Sequence, residues 1–260
     1  KRQHINWPSP YTFGRWWLGE DRGLKANNNY SKQVQGLKDF FKKSKANMNV
    51  EKSMNLKSKA MRQIIDGEST VYLYADDEKE IVDGVTFLKN FGINKIVIVG
   101  ASESRNQLDF IKENNIPVVV KQPYRFPQSI DSDPSDTFKL AKLMLDKGIL
   151  VSIDPSGAPQ SRVSVRNLPF YAGSFSSYGI NKEKALSLIT INPAKILGID
   201  DEFGSIEIGK SATLFISKGD ALDIVSNNVT HAFISGRNIS LETHQTRLWR
   251  RYSNKYSSSQ

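Results

Sequence analysis

The chain contains no cysteine and only three histidines among its 260 residues. Without cysteine it has no disulfide, no thiolate nucleophile and no cysteine-ligated metal site. Three histidines leave a metal site few imidazole ligands to draw on. No stretch approaches the roughly 20 apolar residues that a membrane-spanning helix needs. With 38% hydrophobic residues and a mean hydropathy of -0.44, the composition is typical of a globular protein.

An initiator methionine is also missing, because the chain opens on Lys1. On that ground we expect a processed product or a piece of a longer polypeptide. The lack of cysteine suits an exported, periplasmic or cell-envelope-associated protein, and a cytoplasmic location is left open.

Basic residues outnumber acidic ones, and the net charge of +9 is concentrated in two clusters. A basic face binds nucleic acid, anionic lipid headgroups or an acidic partner, or it is simply a solvated helix surface. No nucleic-acid-binding motif accompanies these residues, so we expect no nucleic acid partner. The first cluster comprises Lys38, Lys42, Lys43, Lys45, Lys52, Lys57, Lys59 and Arg62, and the second comprises Arg247, Arg250, Arg251 and Lys255.

Residues 1–66 are predicted to form an aromatic-rich loop followed by a basic helical segment. Apolar residues recur at helical spacing from about Tyr30 to Asp66. The loop before them is too rich in proline and glycine to be stable alone. Its aromatics therefore pack on the rest of the fold, or they form a pocket wall or a subunit contact. They are Trp7, Tyr11, Phe13, Trp16 and Trp17.

Residues 67–200 alternate short β-branched apolar runs with amphipathic segments. The runs are typical of strands buried on both faces, and the segments between them end near glycine or asparagine, as helices do. Four such repeats predict βα units of a parallel sheet. No dinucleotide-binding fingerprint follows any run, which argues against a Rossmann domain. The runs are VYLYA (71–75), KIVIVG (95–100), PVVV (117–120) and ILVSI (149–153).

The remainder of the chain has a different pattern. Within residues 201–240, GSIEIGKSATLFI and NNVTHAFISGRNI predict antiparallel strands, and residues 241–260 predict a basic helix or tail. The preceding KEKALSLITINPAKILGI predicts two helices that are broken at Asn192-Pro193, the second of which ends at Gly198.

A longer motif spans residues 185–223, ALSLITINPAKILGIDDEFGSIEIGKSATLFISKGDALD, and continues in HAFISGRNI. It closely resembles the C-terminal part of the amidohydrolase superfamily, in particular its imidazolonepropionase-like and dihydroorotase-like members. The RNLPFYAG segment (166–173) and the NNIPVVV strand agree with it. The resemblance covers roughly residues 55–256.

The resemblance implies an α/β fold, namely the C-terminal half of a metal-dependent-hydrolase-like TIM barrel with part of a composite β-sandwich. In this family the His-x-His pair and the bridging lysine of the metal site belong to barrel strands that would lie upstream of Lys1. We therefore expect the missing N-terminal half, from the same precursor or another chain, as a partner in an oligomer or complex. We also expect that the chain does not fold alone, since a whole barrel needs roughly 250 residues.

Active sites of such barrels lie at the C-terminal ends of the strands. In metal-dependent relatives, strands five and six offer histidines and strand eight an aspartate that activates water. By resemblance, Tyr74 and Tyr124 occupy the two histidine positions and Asp154 matches the aspartate. A tyrosine oxygen must lose a proton with a pKa of about 10 before it binds zinc well. We therefore expect zinc or another divalent metal only if an upstream segment supplies ligands.

Three further candidates each have two interpretations. Asp154 precedes a proline, and it is either a turn former or a proton carrier in catalysis. Arg166 and Asn167 either hold a substrate carboxylate by charge-assisted hydrogen bonds or brace their own loop.

The other polar residues singled out by position are expected to be structural. Asp76 and Asp77 directly precede a helix, where acidic side chains cap free backbone N–H groups. His4 in the opening loop, His231 in a sandwich strand and His244 in the tail are expected to be structural or solvated.

Three functions follow from these observations. The first is hydrolysis of a non-peptide C–N bond in a cyclic amide or imide through metal-activated water. The second is a degenerate, non-catalytic relative that serves as a structural or binding subunit of an assembly. The third, a basic adaptor for nucleic acid or a membrane surface, rests on charge alone.

Overall fold

A computed structural model of the chain describes residues 2–14, 18–19, 23–47, 56–125, 133–156 and 165–257. Trp16, Trp17 and Lys52 lie outside the described residues, as do the side chains of Lys57 and Lys59. Five strands form the central sheet: β1 (Arg2–Asn6), β4 (Thr70–Ala75), β5 (Ile96–Gly100), β6 (Val118–Lys121) and β7 (Val151–Asp154). All neighbours are parallel, in the order β1-β4-β5-β6-β7.

The four runs that were predicted as strands are confirmed as β4 to β7. Their apolar side chains are buried on both faces of the sheet, as β-branched runs without alternation indicate. Leu73 and Ile98 are completely buried on the face that packs against helices. Burial of each such side chain stabilises the fold by about 1.5–3 kcal/mol.

The first strand corrects the sequence-based interpretation of the opening segment. Residues 2–6 were expected to be part of a loop, but they pair along their whole length with β4, from Arg2 opposite Thr70 to Asn6 opposite Tyr74. The sheet therefore has five parallel strands instead of four. RQHIN lacks the apolar run of the other strands because β1 lies at the edge of the sheet and has exposed positions.

Beyond β1 the chain forms a small hairpin and two helices. β2 (Tyr11–Phe13) and β3 (Leu24–Ala26) pair antiparallel. They are followed by α1 (Tyr30–Asn47) and α2 (Leu56–Ile65). Phe41 of α1 is buried against Phe87, which fixes α1 on the helical side of the sheet.

Helices α3 (Glu78–Asn90), α4 (Leu108–Glu113) and α5 (Asp136–Asp146) connect successive strands of the sheet. They were predicted from their amphipathic pattern, and each contributes buried apolar residues to the main core. The smaller core on the opposite face of the sheet contains Tyr72, Val97, Val99 and Ile196. Such an arrangement gives one face to the helices and leaves the other as the interior of a partial barrel.

Three short helices follow: α6 (Leu168–Ser176), α7 (Lys182–Ser187) and α8 (Ile191–Leu197). The predicted break at Asn192-Pro193 is wrong, because both residues lie in the first turn of α8, where proline is tolerated. The predicted end at Gly198 is confirmed, with φ of 65° in the left-handed region. Asn192 also donates a side-chain hydrogen bond of 2.8 Å to the carbonyl of Val151 in β7.

The C-terminal region forms a second sheet of β8 (Leu214–Ser217), β9 (Val229–Ile234) and β10 (Arg237–Asn238), all antiparallel. This confirms the predicted antiparallel strands, except that residues 204–209 form no strand. The predicted basic helix is α9 (His244–Ser257). In the described part of the chain, no helix combines the length and apolar character needed to cross a membrane.

Candidate functional site

The C-terminal ends of β1, β4 and β5 open into a cleft of about 600 Å³. The β2–β3 hairpin overhangs it, because the chain leaves β1 at Asn6 and returns across the strand ends. Its lining residues are Asn6, Trp7, Ser9, Tyr11, Phe13, Leu24, Tyr74, Ala75, Asp76, Asp77, Glu80 and Glu103. The cleft therefore lies where ligands bind in parallel α/β folds.

A histidine–tyrosine pair stands beside this cleft. Side chains alternate along β4, so Tyr72 and Tyr74 share the face opposite Leu73. His4 of β1 stacks on Tyr72 with ring centroids 5.2 Å apart, and its Nδ1 lies 3.1 Å from the hydroxyl oxygen of Tyr74. His4 was expected to lie in a loop, and the structure instead places it in the middle of β1, opposite Tyr72.

A second polar cluster joins β4, β5 and β6. The Lys121 Nζ donates to Asp76 Oδ2 at 3.2 Å and lies 5.6 Å from the centroid of the Tyr74 ring. The Ser102 hydroxyl donates to Asp76 Oδ1 at 2.5 Å. Asp76 thus compensates the Lys121 ammonium and is fixed in place by the serine. Neither Lys121 nor Ser102 was predicted from the sequence. Alternation along β6 could have indicated Lys121, because it lies two residues beyond Val119 and therefore on the same face of the strand, where Val119 packs against the smaller core.

The turn after β5 brings Ser102 to Asp76. Gly100 has φ of 118° and Ala101 has φ of 58°, which turns the chain sharply at the strand end. A Cβ on Gly100 would overlap the Asp76 carboxylate, so only glycine fits this position.

The expectation that both aspartates cap α3 is confirmed for Asp77 only. Asp77 Oδ1 accepts from the backbone N–H of Lys79 at 2.8 Å, and Glu80 reaches back to form a capping box. Asp76 Oδ1 and Oδ2 instead face Ser102 and Lys121, as described above. Glu80 Oε2 accepts from the backbone N–H of Asp76 at 2.9 Å, so the two acidic residues share one local network.

The contacts of Asp154 match its interpretation as a turn former. Its carboxylate accepts the backbone N–H of Ser156 at 2.8 Å and also the Ser156 hydroxyl. Asp154 is the register partner of Lys121, so it lies at the same strand-end level as the polar cluster. A catalytic role for Asp154 stays a prediction.

Tyr124 lies apart from Tyr74. β5 separates β4 from β6, whereas strands five and six of a barrel are neighbours, so the assignment of Tyr124 to strand six does not fit the sheet order. If β4 is strand five, strand six is its neighbour β5, which ends at Gly100 and not near Tyr124. Tyr124 is exposed, and its hydroxyl contacts that of Ser174.

Two weaker candidates lie beside this second tyrosine. Asn167 and Tyr124 line a separate depression of about 460 Å³ next to α6, whereas Arg166 is exposed outside it. The structure therefore does not bring Arg166 and Asn167 to the cleft at the ends of β1, β4 and β5. Their role in substrate binding stays a prediction.

The other two histidines lie outside the central sheet, on the elements where they were expected. His231 Nδ1 is 3.2 Å from the hydroxyl of Thr230 in β9, and His244 opens α9 with its Nδ1 3.0 Å from Arg247.

A hydrogen-bonded triad anchors the wall of the cleft. The Tyr30 hydroxyl accepts from Trp7 Nε1 at 3.1 Å and donates to Asp83 Oδ2 at 2.6 Å. Burial, reinforced by the bond to the Asp83 carboxylate, raises the pKa of Tyr30 to about 12. Burial also tends to raise the pKa of Asp83, but the hydrogen bonds from Lys79 and Tyr30 outweigh it and hold this pKa below its ordinary value.

The donor set at these strand ends does not fit a divalent metal. In residues 2–257, apart from the gaps given above, no group of three or more His, Asp or Glu side chains is arranged to hold an ion. Asp76 is already paired with Lys121, whose positive charge would repel a divalent metal ion coordinated by that carboxylate. The hydroxyl of Tyr74 faces His4 instead of standing among carboxylates.

A model of the amidohydrolase family matches residues 27–239. Among curated proteins, an imidazolonepropionase of Picrophilus torridus is 29% identical over 169 residues, which is 63% of this chain and 41% of the relative. A 5'-deoxyadenosine deaminase of Methanobrevibacter smithii is 25% identical over 150 residues, or 53% of this chain and 31% of the relative. The chain thus spans less than half the length of these curated relatives.

Solved structures show the same fold. An amidohydrolase from Thermotoga maritima has a TM-score of 0.67 and 24% identity, and the match covers 85% of this chain and 63% of that one. A zinc-bound adenosine deaminase from Xanthomonas campestris has a TM-score of 0.51 and 17% identity, and the match covers 77% of this chain and 54% of that one. The parallel sheet with its helices therefore corresponds to part of such a barrel.

Proposed function

Because the chain belongs to the amidohydrolase family, we propose that it forms the C-terminal half of a barrel that binds a ligand without hydrolysing it. In this proposal the strand ends have exchanged metal ligands for a histidine–tyrosine pair and a lysine–aspartate pair. The resemblance to imidazolonepropionase-like members is confirmed by the match to the family model and by the imidazolonepropionase of Picrophilus torridus. Non-catalytic binding is the further step that we take here.

The observation that carries the proposal is the pairing of Lys121 with Asp76. A lysine ammonium 3.2 Å from a strand-end carboxylate supplies the positive charge that a metal ion would otherwise supply. Their side chains are 23% and 37% exposed, so the pair is only partly screened by water. Asp76 Oδ1 is also taken by Ser102, which leaves this carboxylate little capacity for a metal.

The β1 edge and the interior face of the sheet are the surfaces at which we expect a partner. We propose that the first half of the barrel, from the same precursor or another chain, packs on the β1 edge and on the interior face around Tyr72 and Val97. Support comes from the exposed residues of β1 at the edge of the sheet and from the 41% of the relative's length that the chain spans. The assembled protein is then part of an oligomer or complex.

A second candidate is hydrolysis of a non-peptide C–N bond, with metal ligands contributed by the other half of the barrel. It is favoured by the names of the relatives, an imidazolonepropionase and a 5'-deoxyadenosine deaminase. In that case Asp154 would hold or transfer a proton of the attacking water, and zinc or another divalent ion would supply Lewis acidity.

Metal content decides between the two candidates. Natively purified protein is analysed by elemental mass spectrometry, with protein quantified in the same sample. We expect zinc, manganese and iron far below one atom per chain. Near-stoichiometric metal would contradict the binding-only function and favour the hydrolase.

Two substitutions sharpen this test. Asp154→Asn is expected to leave assembly and folding intact, whereas on the hydrolase hypothesis it abolishes turnover. In the double variant, Tyr74→His restores an imidazole and Lys121→Met removes the competing ammonium. We expect this double variant to bind zinc more tightly than either single variant does. Unchanged zinc affinity would show that Tyr74 does not occupy a former ligand position.

A further inference from the structure

The cleft at the ends of β1, β4 and β5 is acidic in a chain whose net charge is +9. Of the twelve residues that line it in the described part of the chain, four are carboxylates and none is lysine, arginine or histidine. The carboxylates are Asp76, Asp77, Glu80 and Glu103. The cleft therefore concentrates negative charge at one place on a basic protein, which favours a cationic ligand.

Within the described residues, one salt bridge reaches these carboxylates, and the Arg125 guanidinium lies nearby, donating to the carbonyl of Ser102 at 3.2 Å. Lys121 pairs with Asp76. Asp77 and Glu80 accept backbone N–H groups in the capping box, and these bonds carry no positive charge of their own. Glu103 is exposed at the rim of the cleft. Summed over the described residues, the charges of the cleft are thus net negative after the Lys121–Asp76 pair is formed.

Aromatic and exposed apolar side chains form the rest of the cleft lining. Phe13 and Leu24 face each other across the β2–β3 hairpin, and they are 65% and 55% exposed. Tyr11 on the same hairpin is also exposed, and Trp7 and Tyr74 complete the lining. Aromatic faces beside carboxylates attract organic cations, through the ring quadrupole and through direct charge attraction.

We infer that this cleft binds a small organic cation whose positively charged nitrogen is attached to an apolar or aromatic group. The nitrogen faces Glu103 and Asp77, and the apolar group packs under Phe13 and Tyr11. This inference rests on the proposed binding function and adds to it the chemical class of the ligand.

Three probes of matched shape test the charge requirement. Benzylammonium, benzyl alcohol and benzoate share a phenyl ring but carry positive, zero and negative charge. Binding to the natively purified protein is measured by isothermal titration calorimetry at low and high salt. We expect benzylammonium to bind at least about threefold more tightly than benzyl alcohol, since a cation beside an aromatic face gains roughly that factor at exposed sites. We expect this preference to weaken at high salt.

Variants then locate the site. Glu103→Gln and Phe13→Ala are each expected to weaken benzylammonium binding at least about threefold. The matched controls are Glu113→Gln, an exposed carboxylate on α4, and Tyr256→Ala, an exposed aromatic on α9. Both controls are expected to bind as the parent does. Thermal unfolding of all four variants shows that each is folded before its binding is compared.

Benzoate or benzyl alcohol binding as tightly as benzylammonium would overturn the inference, and so would absence of benzylammonium binding at millimolar concentration. Equal losses in the variants and their controls would place the cation elsewhere and overturn it as well. The result is separable from that of the metal analysis. If the protein contains stoichiometric metal and still binds benzylammonium, only the proposed function is overturned. If the protein is metal-free and does not bind benzylammonium, only this inference is overturned.

Discussion

Replacement of Tyr30 by phenylalanine is expected to lower the free energy of unfolding by about 2.5 kcal/mol at neutral pH. The substitution keeps the ring and removes only the hydroxyl that joins α1 to the end of β1 and to α3. The loss has two parts. The bond to the Asp83 carboxylate is short, at 2.6 Å, and a hydrogen bond to a charged acceptor contributes about 1.5–3 kcal/mol.

The second part concerns Trp7. Its side chain is 6% exposed, and Tyr30 is the acceptor for its indole N–H at 3.1 Å. A buried donor left without an acceptor costs about 1–3 kcal/mol. We take the lower end of both ranges because Asp83 is 35% exposed and water replaces part of the lost bond.

Equilibrium urea unfolding of the natively purified protein, followed by circular dichroism, measures this loss. With a dependence of about 1–3 kcal/mol per molar urea, the midpoint of the variant should fall by about 1 M. Tyr178→Phe is the matched control, because that ring stacks on Phe138 with centroids 4.7 Å apart and keeps its packing. We expect the control to remain within about 0.5 kcal/mol of the parent.

The same variant has a defined pH dependence. The pKa of Asp83 is held below its ordinary value in the folded state, so its contribution is present above the unfolded pKa of about 3.9 and lost as the pH falls through the folded pKa. The difference between parent and Tyr30→Phe should therefore shrink below about pH 4. A difference that is the same at pH 7 and pH 3, or one below about 0.5 kcal/mol at pH 7, would refute this reasoning.

At alkaline pH the sign is opposite. The pKa of Tyr30 is raised to about 12, so its contribution is complete below the unfolded pKa of about 10 and is lost as the pH rises from there to about 12. Tyr30→Phe lacks this titration, so the parent should lose stability over that interval more steeply than the variant does.

Three further predictions concern the strand ends. Gly100→Ala should lower the free energy of unfolding, measured by thermal unfolding, by at least about 2 kcal/mol, because φ of Gly100 is 118° and the new Cβ meets the Asp76 carboxylate. Gly67→Ala is the control, because φ of Gly67 is 73° but the space around it is open. A loss of stability in Gly100→Ala that is no larger than in Gly67→Ala would argue against the clash. Asp77→Ala should cost about 1 kcal/mol through loss of the capping box, as measured by urea unfolding. In a double-mutant cycle, the effects of Lys121→Met and Asp76→Asn on the free energy of unfolding should differ from additivity by about 1 kcal/mol. Strictly additive losses of stability would show that the pair contributes no mutual stabilisation.

The sequence by itself determined the elements that depend on local pattern. The β-branched runs of β4 to β7 and the amphipathic helices between them follow from the spacing of apolar residues within each segment. The cap at Asp77 and the end of α8 at Gly198 also follow from neighbouring residues. The amidohydrolase motif around residues 185–223 is contiguous in the chain, and the family was predicted from it for that reason.

Only the tertiary structure decided which polar side chains meet. His4 and Tyr74 are 70 residues apart in the chain, and Lys121 and Asp76 are 45 apart. Their contacts depend on the order and register of parallel strands, which no local period specifies. β1 was missed for the same reason, since RQHIN becomes a strand through pairing with β4 and not through an apolar pattern of its own. The physical difference is one of range: apolar periodicity acts within a segment, whereas the site is assembled by contacts between segments.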